Sequence, residues 1–316
     1  MKFFNLIPNQ TNFDFIGKFK YFFLFSVIAL AAVIWGTSTR GLNYGVDFTG
    51  GAVIQARFKS AKTAEDVRKI VTELGEEEAS VVALGSENTD YLITARKHGT
   101  KEEDARNPLN QRLSQKMGSD VQIMSVDVVG PKVGADLKKA AMLSLLYSVI
   151  LITVYIWLRF DFRFAPGATI AMIHDLVMAT GFYLLTGREF TITAIAALLT
   201  IAGYSVNDTI VIYDRVREMY KLGGNALPLP ETINKAINLT LSRTILTATL
   251  TLLSVVPIAI FCTGEIQSFA MAMTFGIFVG IYSTVYIASP FTIYVAKFME
   301  RKEQNRSSSR PIKAKA

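Results

Sequence analysis

The sequence predicts a polytopic α-helical membrane protein with six transmembrane helices and an α+β domain between the first two helices. Two observations support this fold class. Six apolar runs approach or exceed the ~20 residues that cross a ~30 Å hydrocarbon core, and a long polar stretch separates the first run from the second. The mean hydropathy of the 316-residue chain, +0.33, is typical of membrane spans averaged with an aqueous domain.

The first apolar run, residues 19–36, is long and starts well inside the chain, and no Ala-x-Ala cleavage site follows it. We therefore interpret it as an uncleaved span or signal anchor rather than a cleaved signal peptide. Residues 37–138 form the predicted aqueous domain, and Pro257 and Pro290 predict kinks in the last two spans. The other five predicted spans are residues 140–158, 165–186, 191–213, 239–261 and 268–295.

Basic residues are distributed unevenly among the predicted connections, and this bias predicts the orientation of the spans. The turns near Gly187 and Gly264 have no excess of basic residues. The basic connections are residues 1–18, the 159–164 turn, the 214–238 loop and the tail, residues 296–316. The sequence therefore predicts both termini in the cytoplasm and the domain in the periplasm. Most of the net charge of +7 lies in the tail, which favours contact with membrane lipids over a nucleic-acid partner.

The polar stretch between the first two spans has the pattern of a small α+β domain. Its predicted order is β-α-β-β-α-β, which matches the split βαβ, ferredoxin-like motif. The predicted strands are residues 52–58, 80–84, 90–95 and 121–129, and the predicted helices are residues 63–74 and 101–117, with Pro108 as an irregularity in the second.

A glycine-rich motif, Gly45-Val-Asp-Phe-Thr-Gly-Gly51, connects the first span to the first strand. Gly45, Gly50 and Gly51 offer backbone freedom at this connection. Together with Asp47 they form a predicted hinge motif, about which the external domain would move as a unit.

Several classes of chemistry are disfavoured by what the sequence lacks. A single cysteine, Cys262, excludes an intramolecular disulfide and a CxxC pair, and the two histidines, His98 and His174, lie far apart. The sequence contains no GxxxxGK[ST], HExxH or GxSxG motif. We therefore expect no enzymatic activity, no metal and no cofactor, and we expect energy to come from a partner or an ion gradient.

One carboxylate lies within an apolar helix, at Asp208 in the fourth span. A charge at bilayer depth costs at least ~2.5 kcal/mol on insertion scales, so such residues usually mark ion or substrate pathways. A soluble core helix with a satisfied aspartate is the alternative, and the other apolar runs argue against it.

Polar residues recur at helical spacing on the fourth and fifth spans. Thr200, Tyr204 and Asp208 share one face of the fourth span. Arg243, Thr247, Thr251 and Ser254 form a polar stripe on the fifth. Asp208 and Arg243 lie at similar depth, so the sequence predicts that they pair if the helices pack antiparallel. The pair is interpreted either as a proton carrier, in which the arginine tunes the carboxylate, or as a static salt bridge.

Two further polar or small-residue groups lie in the spans. His174 and Asp175, near the middle of the third span, are either a proton relay or a polar pair that binds helices together. Gly276 and Gly280 belong to a small-residue stripe on the sixth span, which predicts helix packing, with docking of a partner as a second use.

Motifs along nearly the whole chain closely resemble the SecF family, whose members are the smaller partners of SecD in bacterial protein export and belong to the RND superfamily. The motifs that carry the resemblance are Gly45–Gly51, Ala171–Asp175, Gly203–Glu218, Ile237–Thr244, Gly276–Ser283 and Ala288–Pro290. Small departures are Cys262-Thr-Gly-Glu265, where a Gly-Gly turn is common, and Ile281 in place of a common threonine.

The resemblance implies half of an RND-like transmembrane unit in the bacterial inner membrane, with SecD as obligate partner. It also implies SecYEG as the channel, YajC and YidC as further candidate partners, and an unfolded preprotein as substrate. Proton-motive force would drive a late step of translocation. The family's membrane-embedded aspartate and arginine correspond to Asp208 and Arg243, and we assign Asn207, Tyr204 and Thr247 to the same predicted proton pathway.

Two other functions stay open. One is a structural or assembly subunit of the translocon that conducts no ions. The other is an RND-type exporter of lipids or small molecules, which is disfavoured because such exporters carry two large external domains and about twice as many spans. Proton and sodium are both open as the coupling ion.

Overall fold

The computed structural model describes residues 11–76, 79–85, 88–96, 109–160, 162–223 and 227–308. Within these residues, six helices are long and apolar enough to cross a membrane, and a small antiparallel sheet domain lies between the first two. The predicted fold class is confirmed. The spanning helices are α1 (Phe19–Arg40), α5 (Pro131–Arg159), α6 (Ala165–Thr186), α7 (Ile192–Gly223), α8 (Leu229–Phe261) and a last rod made of α9 (Gly264–Ser283), a π-helical turn (Thr284–Ala288) and α10 (Ser289–Ser308).

Two of these helices begin well before the predicted spans. Helix α5 begins at Pro131 rather than residue 140, and α8 begins at Leu229 rather than residue 239. Each has a proline in its first turn, where the fixed φ favours helix initiation and no N–H is needed. Hydropathy identifies only the apolar part of a helix, so it misses helical turns that extend beyond the span and carry polar residues.

The two prolines that predict kinks have different helical surroundings. Pro257 lies inside α8, and the helix continues through it to Phe261. Pro290 is the second residue after the π-helical turn at Thr284–Ala288. A proline removes one backbone donor and crowds the preceding turn, and a widened turn is one way in which a helix accommodates it.

The domain has the β-α-β-β-α-β order that the sequence predicts. Its elements after a short helix α2 (Val46–Thr49) are β1 (Gly51–Phe58), α3 (Ala64–Glu73), β2 (Ser80–Leu84), β3 (Asp90–Arg96), α4 (Leu109–Met117) and β4 (Val121–Val129). All neighbouring strands are antiparallel in the order β2-β3-β1-β4, as in a ferredoxin-like sheet. Residues 101–108 of the predicted second helix, and His98, lie outside the described residues.

Local sequence explains where the first domain helix begins. The Thr63 hydroxyl accepts a hydrogen bond from the Asp66 N–H at 3.1 Å, and the Asp66 carboxylate accepts from the Thr63 N–H at 3.2 Å. This reciprocal cap satisfies two donors at the helix start. The Thr63 hydroxyl and N–H also hold the pKa of Asp66 below its usual value. Val67 and Val71 then face a core with Ile54 on β1.

Close packing in the bundle centres on α9, which contacts α6, α7 and α8. Gly276 faces Ile201 so closely that a Cβ atom at this position would overlap its side chain, and a Cβ at Gly280 would lie 3.2 Å from Cβ of Ser205. The predicted use of this stripe for helix packing is therefore observed. Its second predicted use, docking of a partner, is wrong for these two glycines because both are buried against α7.

Candidate functional site

Helix α7 places Asp208 inside the bundle without a partner. The residue is only 3% exposed, and its Oδ2 atom is buried with no hydrogen-bond partner. In the described part of the chain its side chain forms no ion pair. An unpaired buried carboxylate is costly to keep, so this position is a strong candidate for a functional group.

Arg243 forms no direct ion pair with Asp208, so the predicted contact is wrong for this structure, although the positive charge of Arg243 still acts on the Asp208 carboxylate. Arg243 is exposed on α8 and, among the described residues, forms no ion pair. It lines an open cavity of about 760 Å³ together with Asp214, Arg215 and Glu218 at the charged end of α7. Similar depth in the membrane brings two residues to one level, but helix rotation decides whether their side chains meet.

The structure brings two other predicted pathway residues together. The Tyr204 hydroxyl is buried near Thr247 and Thr251 of α8, with no hydrogen-bond partner within the described residues. Both threonine hydroxyls donate to carbonyls of their own helix, at 3.0 Å to Arg243 and 2.9 Å to Thr247. The α7–α8 interface beside Asp208 thus contains hydroxyl groups that can accept or pass a proton.

A polar face of α7 beside Asp208 is exposed. It consists of Ala196, Thr200, Gly203 and Asn207. Small and polar side chains on the surface of a spanning helix are poor neighbours for lipid and are typical of helix–helix contacts. The site around Asp208 is therefore open on one side within this chain.

Asp175 is the best-satisfied buried carboxylate of the bundle. It is fully buried on α6 and accepts hydrogen bonds from Ser205 of α7 at 2.5 Å and Ser283 of α9 at 2.6 Å. The Nδ1 atom of His174 lies 2.9 Å from its other oxygen. One carboxylate thus ties three helices together, which supports the polar-pair interpretation of His174 and Asp175.

His174 keeps one ring nitrogen without a partner. Its Nε2 atom is buried and unpaired within the described residues, and its ring lies 6.2 Å from that of Tyr282 between centroids. A relay would need a partner at this nitrogen. The relay interpretation of this pair stays a prediction.

The glycine-rich motif is packed against the turn between α6 and α7. Tyr44 pairs with Phe190 as an isolated parallel bridge, and Gly45 N–H donates to the Phe190 carbonyl at 3.0 Å. A Cβ at Gly45 would lie 2.6 Å from the Thr191 methyl group, so this glycine is needed for close approach rather than backbone freedom. Gly50 has a positive φ of 76°, a conformation that favours glycine. The hinge role stays a prediction, with Gly50 and the neighbouring Gly51 as its conformationally special residues.

Asp47 of the same motif caps the fourth spanning helix. Its Oδ2 atom accepts a hydrogen bond from the Ile192 N–H, at the first residue of α7, at 2.9 Å. A carboxylate at a helix N-terminus satisfies a free donor and interacts favourably with the helix dipole. This hydrogen bond joins the segment that leads into the α+β domain to α7, the helix that carries Asp208.

We expect Asp47→Ala to loosen the start of α7, because it removes the only described side-chain acceptor for the Ile192 N–H. Loss of a cap costs about 1 kcal/mol. Hydrogen exchange of residues 191–195 in the purified chain should speed up by roughly fivefold, which is that energy expressed as a rate. Asp47→Asn keeps an acceptor and should exchange nearly as the parent does. Equal protection in all three proteins would contradict the capping role.

Sequence reasoning missed the partners of Asp175. Ser205 lies three residues before Asp208 on α7, and Ser283 is the last residue of α9. It also missed Thr209 and Thr284, whose hydroxyls lie 3.1 Å apart where the π-helical turn begins. Spacing along one helix gave no signal for these contacts, because each joins two helices that are distant in sequence.

Comparisons with known proteins all point to one family. Residues 110–298 match the model described as "Protein export membrane protein SecD/SecF, C-terminal", and residues 35–62 match the "SecD/SecF GG Motif". The chain is 36% identical over 303 residues to protein translocase subunit SecF of Calditerrivibrio nitroreducens, with 95% of this chain and 99% of the relative covered. It is 39% identical over 306 residues to the SecF subunit of Rickettsia bellii, with 94% and 98% covered.

A solved structure has the same fold over nearly the whole chain. The crystal structure of SecDF, a translocon-associated membrane protein from Thermus thermophilus, superposes with a TM-score of 0.78 at 32% identity. The match covers 94% of this chain but 40% of the SecDF chain. This chain therefore corresponds to about two fifths of that longer protein.

Proposed function

Because the chain belongs to the SecD/SecF family of protein-export membrane proteins, we propose that it works with SecD to drive a late step of preprotein translocation by the proton-motive force. In this proposal it spans the bacterial inner membrane with both termini in the cytoplasm and its domain in the periplasm. It acts beside SecYEG, with YajC and YidC as further partners, and it catalyses no chemical reaction of its own.

The observation that carries the proposal is the isolated carboxylate of Asp208. It lies in a spanning helix, 3% exposed, with one oxygen lacking a donor. Protonation removes its charge and so removes most of the cost of burial. A group whose burial depends on its proton is suited to couple ion movement to helix movement, whereas a carboxylate held in a salt bridge is less so.

Arg243 supplies the second part of a carrier. It lies in an open cavity that contains acidic and basic side chains, so water and ions can reach it. In a second conformation, rotation of α7 or α8 would bring this arginine to Asp208 and favour release of the proton. At ~2.3 kcal/mol per charge per 100 mV, a few protons suffice for a conformational cycle.

The exposed polar face of α7 supports SecD as the partner that completes the site. In this chain Thr200, Gly203 and Asn207 have no cover among the described residues. A SecDF protein of Brucella abortus matches this chain at 37% identity with only 38% of its own length covered. The remaining length of such a fused protein has room for a second half that packs on this face.

Proton flux through a reconstituted SecD–chain complex tests the proposal. Liposomes with a pH-sensitive dye inside should acidify under an imposed gradient when they contain the parent complex. Asp208→Asn should reduce the flux at least tenfold, because it removes the titratable group while keeping size and hydrogen-bonding capacity. A parallel series with an imposed sodium gradient and a sodium-sensitive dye separates the two candidate ions.

Glu231→Gln is the matched control, because it removes the charge of an exposed carboxylate in the first turn of α8 and leaves Asp208 in place. It should retain most of the flux. Equal flux from the parent and Asp208→Asn complexes would refute the carrier. Absence of flux in every complex, together with normal export, would instead favour the non-conducting assembly subunit.

A further inference from the structure

A basic cavity lies where the turn between α5 and α6 meets the ends of α7, α8 and α10. Its volume is about 780 Å³, within the size range of small-molecule sites. Among the described residues that line it, three are cations, Arg163, Arg217 and Lys221, and one is a carboxylate, Glu300. Among the residues that the structure describes, none of the three cations forms an ion pair. The described residues that line the cavity therefore carry an excess of positive charge.

The arginines next to this cavity, unlike those that line it, are paired with carboxylates. Arg215 pairs with Glu218 at 2.6 Å, and Arg159 pairs with Asp214 at 3.4 Å. These carboxylates are thus engaged by other arginines. Within the described part of the chain, Arg217 donates to one acceptor, the backbone carbonyl of Arg159, at 3.4 Å. The positive charge of the cavity is available to an anion from outside the chain.

An apolar groove begins at the same place and runs between α5 and α6. It has a volume of about 350 Å³, and its lining includes Val154, Trp157, Pro166 and Ile170. Phe162 lines both the groove and the basic cavity. Its ring meets that of Trp157 edge to face, with centroids 6.1 Å apart, and both side chains are more than half exposed. The groove lies along two of the helices that are long and apolar enough to span a membrane.

We propose that the cavity and the groove together bind one anionic phospholipid, with its phosphate among the three cations and an acyl chain in the groove. A free phosphate would use only the cavity, and an apolar segment would use only the groove. A phospholipid uses both at once, because its charged and apolar parts are joined at the membrane surface. Clusters of basic residues beside a span commonly attract anionic lipids, and Trp is enriched at the same level.

The position of the site gives the lipid a structural consequence. Arg217 and Lys221 lie on α7, the helix that carries Asp208, whereas Arg163 lies on the α5–α6 turn. A bound phosphate would hold the end of α7 to this turn. The inference rests on cavity, groove and charge, and it does not depend on the proposed proton coupling.

The chain offers a direct reporter for the test. It has two tryptophans, Trp35 and Trp157, and only Trp157 lines the groove. A Trp35→Phe protein therefore reports on the groove alone. We would place it in phosphatidylcholine vesicles with a small fraction of phosphatidylglycerol, with bromine on the acyl chains of one lipid at a time to quench fluorescence. At equal mole fraction, brominated phosphatidylglycerol should quench Trp157 several-fold more than brominated phosphatidylcholine.

Two triple variants locate the effect. Arg163→Gln, Arg217→Gln and Lys221→Gln together should lower the preference for phosphatidylglycerol on the order of tenfold or more, since each cation near a membrane surface contributes roughly a fivefold preference. Lys18→Gln, Lys20→Gln and Lys235→Gln remove the same charge on the same side of the bundle but outside the cavity. That control should keep the preference within about twofold.

Three outcomes would overturn the proposal. The first is equal quenching of Trp157 by the two brominated lipids in the Trp35→Phe protein with its cavity unchanged. The second is an equal loss of the preference for phosphatidylglycerol in both triple variants. The third is displacement of the lipid by millimolar inorganic phosphate. The first comparison uses no cavity variant, so it decides the matter even if the triple variant fails to fold. Circular dichroism and size-exclusion chromatography check the fold of each variant.

Discussion

Arg243→Met should abolish gradient-driven export while the protein accumulates at its normal level. The arginine is exposed and forms no ion pair in the described part of the chain, so its loss should cost little stability. In the proposed carrier it is nevertheless the charge that favours release of the proton from Asp208. Membrane abundance by immunoblot, alongside export in vesicles with an imposed proton gradient, measures the two effects separately. Arg243→Lys keeps the charge but loses the planar fork, so partial loss is expected.

The double variant Asp208→Asn with Arg243→Met distinguishes the carrier from a static salt bridge. If the two residues formed a structural ion pair, each single change would lower abundance and the double change would restore much of it. The observed geometry predicts no such coupling: all three variants should be abundant and inactive. Low abundance of the single variants with rescue in the double variant would favour the static pair.

Asp175→Ala should have the opposite signature, with low abundance as the primary defect. The change leaves the Ser205 hydroxyl without its acceptor in the centre of the bundle, and the Ser283 hydroxyl keeps only the Gly280 carbonyl of its own helix. Hydrogen bonds between spanning helices average about 0.6 kcal/mol each, so loss of the junction should cost about 1–2 kcal/mol with the unsatisfied groups included. A loss of this size commonly lowers cellular abundance several-fold. The melting temperature of the purified chain and its abundance in the membrane are the measurements.

Its controls test the junction itself. Ser254→Ala removes a hydroxyl that is exposed on α8 and bonded only to its own helix, so it should be neutral. Replacing Asp175, Ser205 and Ser283 together with alanine also removes the two serine hydroxyls and leaves only the His174 ring without its former partner, so it should recover part of the stability. A stable, abundant Asp175→Ala protein that cannot export would instead revive the relay interpretation of His174 and Asp175.

Local sequence patterns were sufficient to identify the spans and the order of the domain elements. Apolar runs identified six spans because a helix must satisfy its own backbone in lipid, and length alone then limits the choice. Alternating and helical periodicities identified the order of the domain, and the Thr63–Asp66 cap marked a helix start that the structure confirms. The starts of α5 and α8 were missed because the turns around Pro131 and Leu229 are helical but not apolar.

By itself the sequence determined that Asp208 would lie in a spanning helix, because apolar neighbours on both sides fix its depth. Tertiary structure decided what each polar group touches. Asp175 meets Ser283 across 108 residues of sequence, whereas Asp208 and Arg243, predicted to pair, do not meet. Periodicity fixes the positions of residues on one helix, but the rotation of that helix about its axis depends on every neighbour it packs against. In this bundle, close contacts such as that of Gly276 with Ile201 set that rotation.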